Sequence, residues 1–392
     1  MTEIDSISRL VSVGANQTQL RDQNARVVLS YIRRYGALPG AEIARRSGLS
    51  AQTVSNILRV LDAEGLIRRG DAIKGRVGKP SVPVQLNPQG AYSIGLNIGR
   101  RSAELVLVDF LGHQVDAEVV TYAYPSISGV FDFLARAMPA VVARNQIDTA
   151  RLAGIGVARP NRIWDWLEFV SAPEGSLTEW KELDLVAEVE AKTGLDVVIE
   201  NDATSACVAE QLIGRGHEFH SFAYIFVGTF VGGGLVLDGK IVSGRTNNAA
   251  AIGPLPVPDG KGGTVQLLDV ASLHVLEREL NIRDLEVRGL RDINSTWDEF
   301  GDVLEDWLAK TGQHLAIACA AIASIVEVDA ILIEGAFPAR VRERLTAHIR
   351  RAYASLDITG IEKPKIEEAE AGRRSRSVGA ALLPIHARYF VT

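Results

Sequence analysis

Five polar side chains crowd one face of a short segment: Gln52, Thr53, Ser55, Asn56 and Arg59. Val54, Ile57, Leu58 and Leu61 recur between them at i, i+3, i+4 and i+7, the spacing of a helix with one buried face. Gln and Asn amides can grip adenine through two hydrogen bonds, Arg can read guanine, and Ser and Thr reach bases or phosphates. A second constellation is Asn201-Asp202, where a carboxylate beside an amide can orient a hydroxyl and accept its proton. The same pair at a strand end would also cap a helix starting at Ala203, so two readings stand. Arg159 can pair with an anionic ligand and Asn161 can bond a hydroxyl. Trp164 and Trp166 follow, as sugar-stacking faces or as core residues, and Arg159 also reads as a surface residue; the core and surface readings are the simpler ones. His217 and His220 have an i, i+3 spacing, which reads as a solvated loop before a strand rather than a metal site. Cys207 and Cys319 are the only thiols in the sequence, which excludes a disulfide framework and any site needing several thiolates.

The polar face needs elements to present it. Gln19 to Tyr35 has helical periodicity, Gly36 ends it, and Pro39 opens a turn before a short helix, Ala41 to Ser47. Gly48 then permits a tight bend, Leu49 plugs the core, and Ser50 caps the polar-faced helix, which runs to about Glu64. Two helices joined this way form a helix-turn-helix pattern. Leu66 to Arg69 and Val82 to Leu86 read as wing strands, with Arg76 and Lys79 in a basic, glycine-rich tip able to reach the DNA backbone or minor groove. Ser50, Gln52, Thr53, Ser55, Asn56, Arg59, Arg76 and Lys79 are therefore the candidate DNA contacts. Residues 1–90 carry a net charge of +6 and the rest −12, as expected of a polyanion-binding head on an acidic body. A small helical domain with a charged hairpin for protein contacts is the competing reading.

Asn87-Pro88-Gln89-Gly90 marks the expected domain boundary by turn composition. Strand candidates follow at Tyr92 to Ile98, Ala103 to Asp109, Gln114 to Tyr122, Leu152 to Ala158 and Val197 to Glu200, with helices at 127–145, 182–193 and 203–212. The pattern restarts with strands at Phe222 to Val227, Gly233 to Leu237 and Lys240 to Val242. Long helices are expected at 265–280 and 297–326, then a strand at 330–333 and helices at 340–356 and 375–389. Two similar halves imply a duplicated α/β unit. Leu315 to Val326 is the longest apolar stretch at 12 residues, shorter than the ~18 a bilayer needs. No secretory signal is legible, and the expected setting is a reducing, cytoplasmic one without membrane contact.

From Gly95-Leu96-Asn97-Ile98-Gly99 through Gly154-Ile155-Gly156-Val157, Glu200-Asn201-Asp202-Ala203, Gly228 to Gly234 and Ser377-Val378-Gly379-Ala380-Ala381, the order resembles the ROK family. That family contains bacterial sugar kinases and repressors derived from them, and a winged helix marks the repressor branch. The resemblance implies a two-lobed, ribonuclease H-like body of the actin and hexokinase type. It also places Asp202 where the kinases hold their general base. Several departures oppose catalysis. Where the family's D-x-G-G-T loop is expected, Asn97 replaces the acid and Arg100 the second glycine, and Glu334 in the adenosine-side segment would repel a triphosphate. The G-E-I-G-H segment reads Ala250-Ala251-Ile252-Gly253-Pro254, and the Cys-rich zinc segment aligns with 259–268, which has no thiolate. Neither a structural zinc nor bound ATP is expected. Arg373-Arg374-Ser375-Arg376 reads as a solvated basic loop.

The expected fold is α/β: a tail (1–17), a winged helix-turn-helix (18–88), a first ROK lobe (89–212, with the return of 375–392) and a second lobe (213–374). The expected function is a DNA-binding repressor controlled by a sugar or sugar derivative at Asn201, Asp202, Arg159 and Asn161. It would act on a double-stranded operator as a homodimer or dimer of dimers, with Asp202 a vestigial base and no enzyme activity. The alternatives are an ATP-dependent sugar kinase with an appended head, and an effector-independent repressor.

Overall fold

A computed structural model of the chain describes residues 17–71, 82–166, 173, 175–290 and 295–391. The chain divides into two compact units. The head comprises residues up to Tyr92, Asp109–His113 and Ile385 onward, and the body comprises Ser93–Val108 and Gln114–Pro384.

The head opens with α1 (Gln17–Tyr35), which buries Val28, Leu29 and Ile32. A two-residue strand β1 (Leu38–Pro39) follows where a plain turn was expected, because Leu38 and Pro39 pair with a later strand. The second helix, α2 (Gly40–Ser47), stops at Gly48, whose φ of 71° is the left-handed cap that a residue without Cβ adopts freely. Ser50 then caps α3 (Ala51–Ala63), its side chain accepting from Thr53 N, and α3 buries Val54, Ile57, Leu58 and Leu61. Leu49 is only partly buried. The wing strands are β2 (Ile67–Arg69) and β3 (Pro83–Leu86), and the sheet order is β1-β3-β2. Residues 72–81, with Arg76 and Lys79, lie outside the described residues.

The end of the chain belongs to this head, whereas the whole of 375–392 was expected to return to the first lobe. Phe390 is buried; its ring stacks 5.6 Å from Phe110, and the Arg33 guanidinium lies 4.7 Å from its centroid. Val391 N donates to Ser30 Oγ at 3.0 Å.

The body contains two five-stranded sheets of the same strand order. The first uses β4 (Tyr92–Ile98), β5 (Ser102–Asp109), β6 (Gln114–Thr121), β7 (Leu152–Arg159) and β8 (Val197–Asn201), arranged β6-β5-β4-β7-β8. The second uses β9 (Phe222–Val227), β10 (Val231–Leu237), β11 (Lys240–Ile241), β14 (Ala330–Gly335) and β15 (Lys365–Glu368), arranged β11-β10-β9-β14-β15. Each begins as an antiparallel meander and ends in a parallel pair, β7 with β8 and β14 with β15. In the chain between β11 and β14, β12 (Pro256–Pro258) and β13 (Thr264–Gln266) form a hairpin.

Helices α4 (Ile127–Arg144), α5 (Glu179–Glu182), α6 (Leu185–Thr193) and α7 (Asp202–Ile213) serve the first half, and α8 (Leu273–Ile282), α9 (Gly301–Ile325) and α10 (Ala339–Ala354) the second. The helix expected from Val265 instead begins at Leu273, because Val265 pairs with Val257 in the hairpin. By length and composition, residues 298–325 could cross a bilayer. In the body, however, Leu304, Trp307, Leu308, Leu315 and Cys319 of α9 are buried in one core with Ile331 and Ile349. The closing helix α11 (Ser375–Tyr389) presses on the first sheet through glycines. A Cβ on Gly95 would strike Ser377 O, and one on Gly156 would strike Ala380 O. These two glycines serve close packing.

Candidate functional site

On the head, the polar face of α3 is exposed and internally laddered. Gln52 Nε2 donates to Asn56 Oδ1 at 3.4 Å, and Arg59 Nη2 donates to the same oxygen at 3.4 Å. The three side chains lie at i, i+4 and i+7 on one stripe, so each restrains its neighbour. Gln52, Ser55, Asn56 and Arg59 are exposed and Thr53 is partly buried. Ser50 is differently employed: its hydroxyl caps Thr53 N and sits 2.8 Å from the Thr53 hydroxyl.

In the body, a cavity of about 1020 Å³ opens beside the start of α7. Asn201 and Asp202 line it, together with Asn161, the segment from Thr229 into the start of β10 at Gly233, and the β12–β13 hairpin. Both readings of the Asn201-Asp202 pair have a structural counterpart. Asn201 Oδ1 caps α7 by accepting from Ala203 N at 2.9 Å and Thr204 N at 3.3 Å. Asp202 Oδ1 accepts from Ala203 N at 3.1 Å, while its Oδ2 lies 3.6 Å from Arg376 Nη1. Asn161 is on the cavity wall and donates to Thr246 O at 2.9 Å, tying two lining loops together.

Arg159 is absent from the lining. Its Nη1 reaches Pro160 O and Asn161 O at 3.4 Å, its guanidinium lies 6.0 Å from the Trp164 ring, and burial lowers its pKa. Trp164 is half-buried and also off the lining.

Two arginines hold positions that local pattern did not reveal. Arg376 lines the cavity, its guanidinium 4.8 Å from the Phe226 ring and its Nε buried without a hydrogen-bond partner. The run 373–376 is therefore not a solvated loop, for Arg374 Nε also binds Glu104 Oε1 at 2.8 Å. Arg100 stands 4.1 Å over Phe230 on the same wall. Burial drags its pKa down to about 10, with Asp202 opposing that fall and Arg376 adding to it. The phase of α11 and the packing that sets it decide where Arg376 points. Buried Glu210 accepts from Glu370 N at 3.0 Å and Ala371 N at 2.8 Å, and buried Glu334 accepts from Gly372 N at 3.1 Å. Three successive backbone N–H groups are thus fixed just before α11.

Glu334 does not confront a ligand as expected. It is paired with Arg342 at 3.0 Å and lies off the lining of this cavity. Burial still raises its pKa, against the pull of Arg342.

The residues do not fit a zinc ion. The hairpin at 256–266 is closed by Asp259, whose Oδ1 accepts from Lys261 N at 2.7 Å and Gly263 N at 2.9 Å. Those bonds lower the Asp259 pKa. Among the described residues no group of three or more His, Cys, Asp and Glu could hold a metal, and Cys207 and Cys319 are buried apart as free thiols. Asn97, which the resemblance aligns with the kinases' acid, is buried, with its Oδ1 unpartnered.

A MarR family model matches residues 23–76, over the winged head. The xylose repressor of Bacillus subtilis is 22% identical over 243 residues, a match spanning 62% of this chain and 62% of the repressor. A solved ROK family transcriptional regulator, described as a homologue of the E. coli MLC protein, superposes with a TM-score of 0.70 at 21% identity, covering 94% of this chain and 97% of that one. A ROK family glucokinase from Streptomyces griseus, solved with glucose and AMPPNP, has a TM-score of 0.58 at 24% identity, covering 75% and 99%. The ROK family model itself matches residues 93–387, most of the chain, and the chain belongs to the ROK family.

Proposed function

We propose that this ROK protein is a DNA-binding transcriptional repressor that responds to a small carbohydrate-like ligand in the body cavity and transfers no phosphoryl group. The observation that carries the reading is the exposed Gln52–Asn56–Arg59 ladder on a capped second helix of a winged head. Such a stripe matches base edges in the major groove, while the basic wing supplies backbone contact. Two heads held by a symmetric dimer would read half-sites one helical repeat apart, and such a regulator works in the cytoplasm, where bacterial DNA lies. A ligand alters DNA affinity only by binding the two states of the body unequally.

The cavity chemistry supports binding without catalysis. Asn97 offers no carboxylate for a metal–phosphate group, and Asp202 Oδ2 faces Arg376 Nη1 at 3.6 Å. Selection of duplexes from a random pool by the full chain tests the reading. The expected result is one enriched, two-fold symmetric sequence whose binding weakens steeply with salt; no enrichment overturns it. ATP consumption with a hexose, abolished by Asp202→Asn, would instead establish the kinase alternative.

A further inference from the structure

Part of the cavity wall is a loop tied across the two halves of the body. Residues 243–251 follow β11, and Asn248, Ala249 and Ala251 line the cavity. The loop closes on itself, because Ala249 N donates to Ser243 O at 3.1 Å. Such a loop is compact and its ends stay together.

Among the described residues, two hydrogen bonds join this loop to the first half. Ser243 Oγ donates to Glu200 Oε2 at 3.1 Å, and Asn161 Nδ2 donates to Thr246 O at 2.9 Å. Glu200 stands near the end of β8, and Asn161 lies two residues beyond β7. The Glu200 carboxylate is half-buried, its other oxygen accepts from Asn201 N at 2.8 Å, and burial raises its pKa. The Ser243 hydroxyl therefore satisfies an oxygen that water reaches poorly. Gly244 to Asn248 are exposed, so little buried apolar surface opposes their movement.

Left-handed backbone marks both ends of the loop. Gly244 has a φ of 74° and Ala250 one of 55°, with Asn247 at 53° between them. Glycine enters this region freely, whereas for Ala250 it is costly. Ala250 O is pressed against β10, where a Cβ on Gly233 would lie 2.6 Å from it. Strained residues of this kind collect at switch regions.

We propose that residues 243–251 form a strap that swings away from the first half when these two hydrogen bonds break, with Glu200 and Asn161 as the positioning residues that clasp it. Asn161 then acts on the cavity through Thr246, by fixing where Asn248, Ala249 and Ala251 stand. The motion belongs to the body and is independent of what the cavity binds.

Hydrogen exchange of the full chain, read by mass spectrometry on peptides spanning 243–252, tests this. Asn161→Ala and Ser243→Ala remove one bond each, and each should speed exchange across the whole segment by about threefold or more. Ser243→Thr keeps a hydroxyl and should restore the slow rate. A peptide covering β9 should keep its rate in every variant, and melting should hold, which separates a swinging strap from general loosening. Unchanged exchange of 243–252 in both alanine variants overturns the proposal. So does acceleration confined to the residues beside the lost bond, or equal acceleration in β9. None of these outcomes touches duplex selection, so the repressor reading stands or falls separately.

Discussion

Helix α3 buries one face, whereas α11 is buried without a break from Ser377 to Leu382, and their partners lie at different distances along the chain. The apolar face of α3 packs within a head whose other helices directly precede it, and its polar face points to solvent. The first turn of α11 places Arg376 in the body cavity, and the residue after its last turn, Phe390, is buried in the head. Residues to Pro384 cluster with the body and those from Ile385 with the head. A helix with near-neighbour partners can be read from periodicity alone. A helix whose ends serve two units requires the whole tertiary structure.

The largest expected effect tests the far end of α11. Phe390→Ala removes a buried ring that contacts Phe110 and Arg33, which should cost about 3–5 kcal/mol of head stability in denaturant unfolding of the full chain. A loss below about 1 kcal/mol would mean that the returning segment is an accessory to the head.

The pH dependence at the same end is the next largest effect. Burial, reinforced by Arg33, pulls the His386 pKa from its ordinary 6.5 to about 4. The unfolded chain therefore takes up a proton near pH 6.5 that the folded head refuses until about pH 4, and stability falls as pH drops through that window. At about 1.4 kcal/mol per pH unit, the loss is bounded at about 3 kcal/mol. His386→Gln should flatten the slope in unfolding measured from pH 7 to 4; an unchanged slope would place the titration elsewhere.

On α3 the prediction concerns recognition. Arg59→Ala removes an exposed guanidinium and should weaken binding to the selected duplex by about 1–3 kcal/mol and relax one base position, with little change in melting. Equal weakening on every sequence would make Arg59 a backbone contact. The same loss accompanied by unfolding would erase the contrast between the two helices.

The limits of sequence reading follow the same contrast. The α3 stripe was legible because Val54, Ile57, Leu58 and Leu61 set its phase without help from distant residues. The repeated meander was legible because each half carries its own strand pattern. Arg100 and Arg376 were not legible as neighbours, since 276 positions of chain separate them. A run of arginines also has the composition of a solvated loop. Their meeting depends on β4 and α11 approaching closely at Gly95, and on Glu210 and Glu334 holding the backbone before α11. The hairpin at 256–266 was obscured because Val257, Leu267 and Leu268 are buried without helical periodicity, as the chain turns back on itself at Asp259–Gly263.

The smallest effect separates shape from recognition within α3 itself. Ser50 was grouped with the DNA contacts, yet its Oγ already accepts from Thr53 N at 3.1 Å and engages the Thr53 hydroxyl. A capping oxygen satisfies an otherwise unpaired amide at the helix start, so Ser50→Ala should cost about 1 kcal/mol of stability. Its effect on sequence preference should be small, because the hydroxyl is already committed to the protein. Ser50→Asp restores the cap and should recover melting, but its negative charge near the DNA backbone should weaken binding to all duplexes alike. If Ser50→Ala instead altered which bases are selected while melting held, Ser50 would belong with Gln52, Asn56 and Arg59 on the reading face.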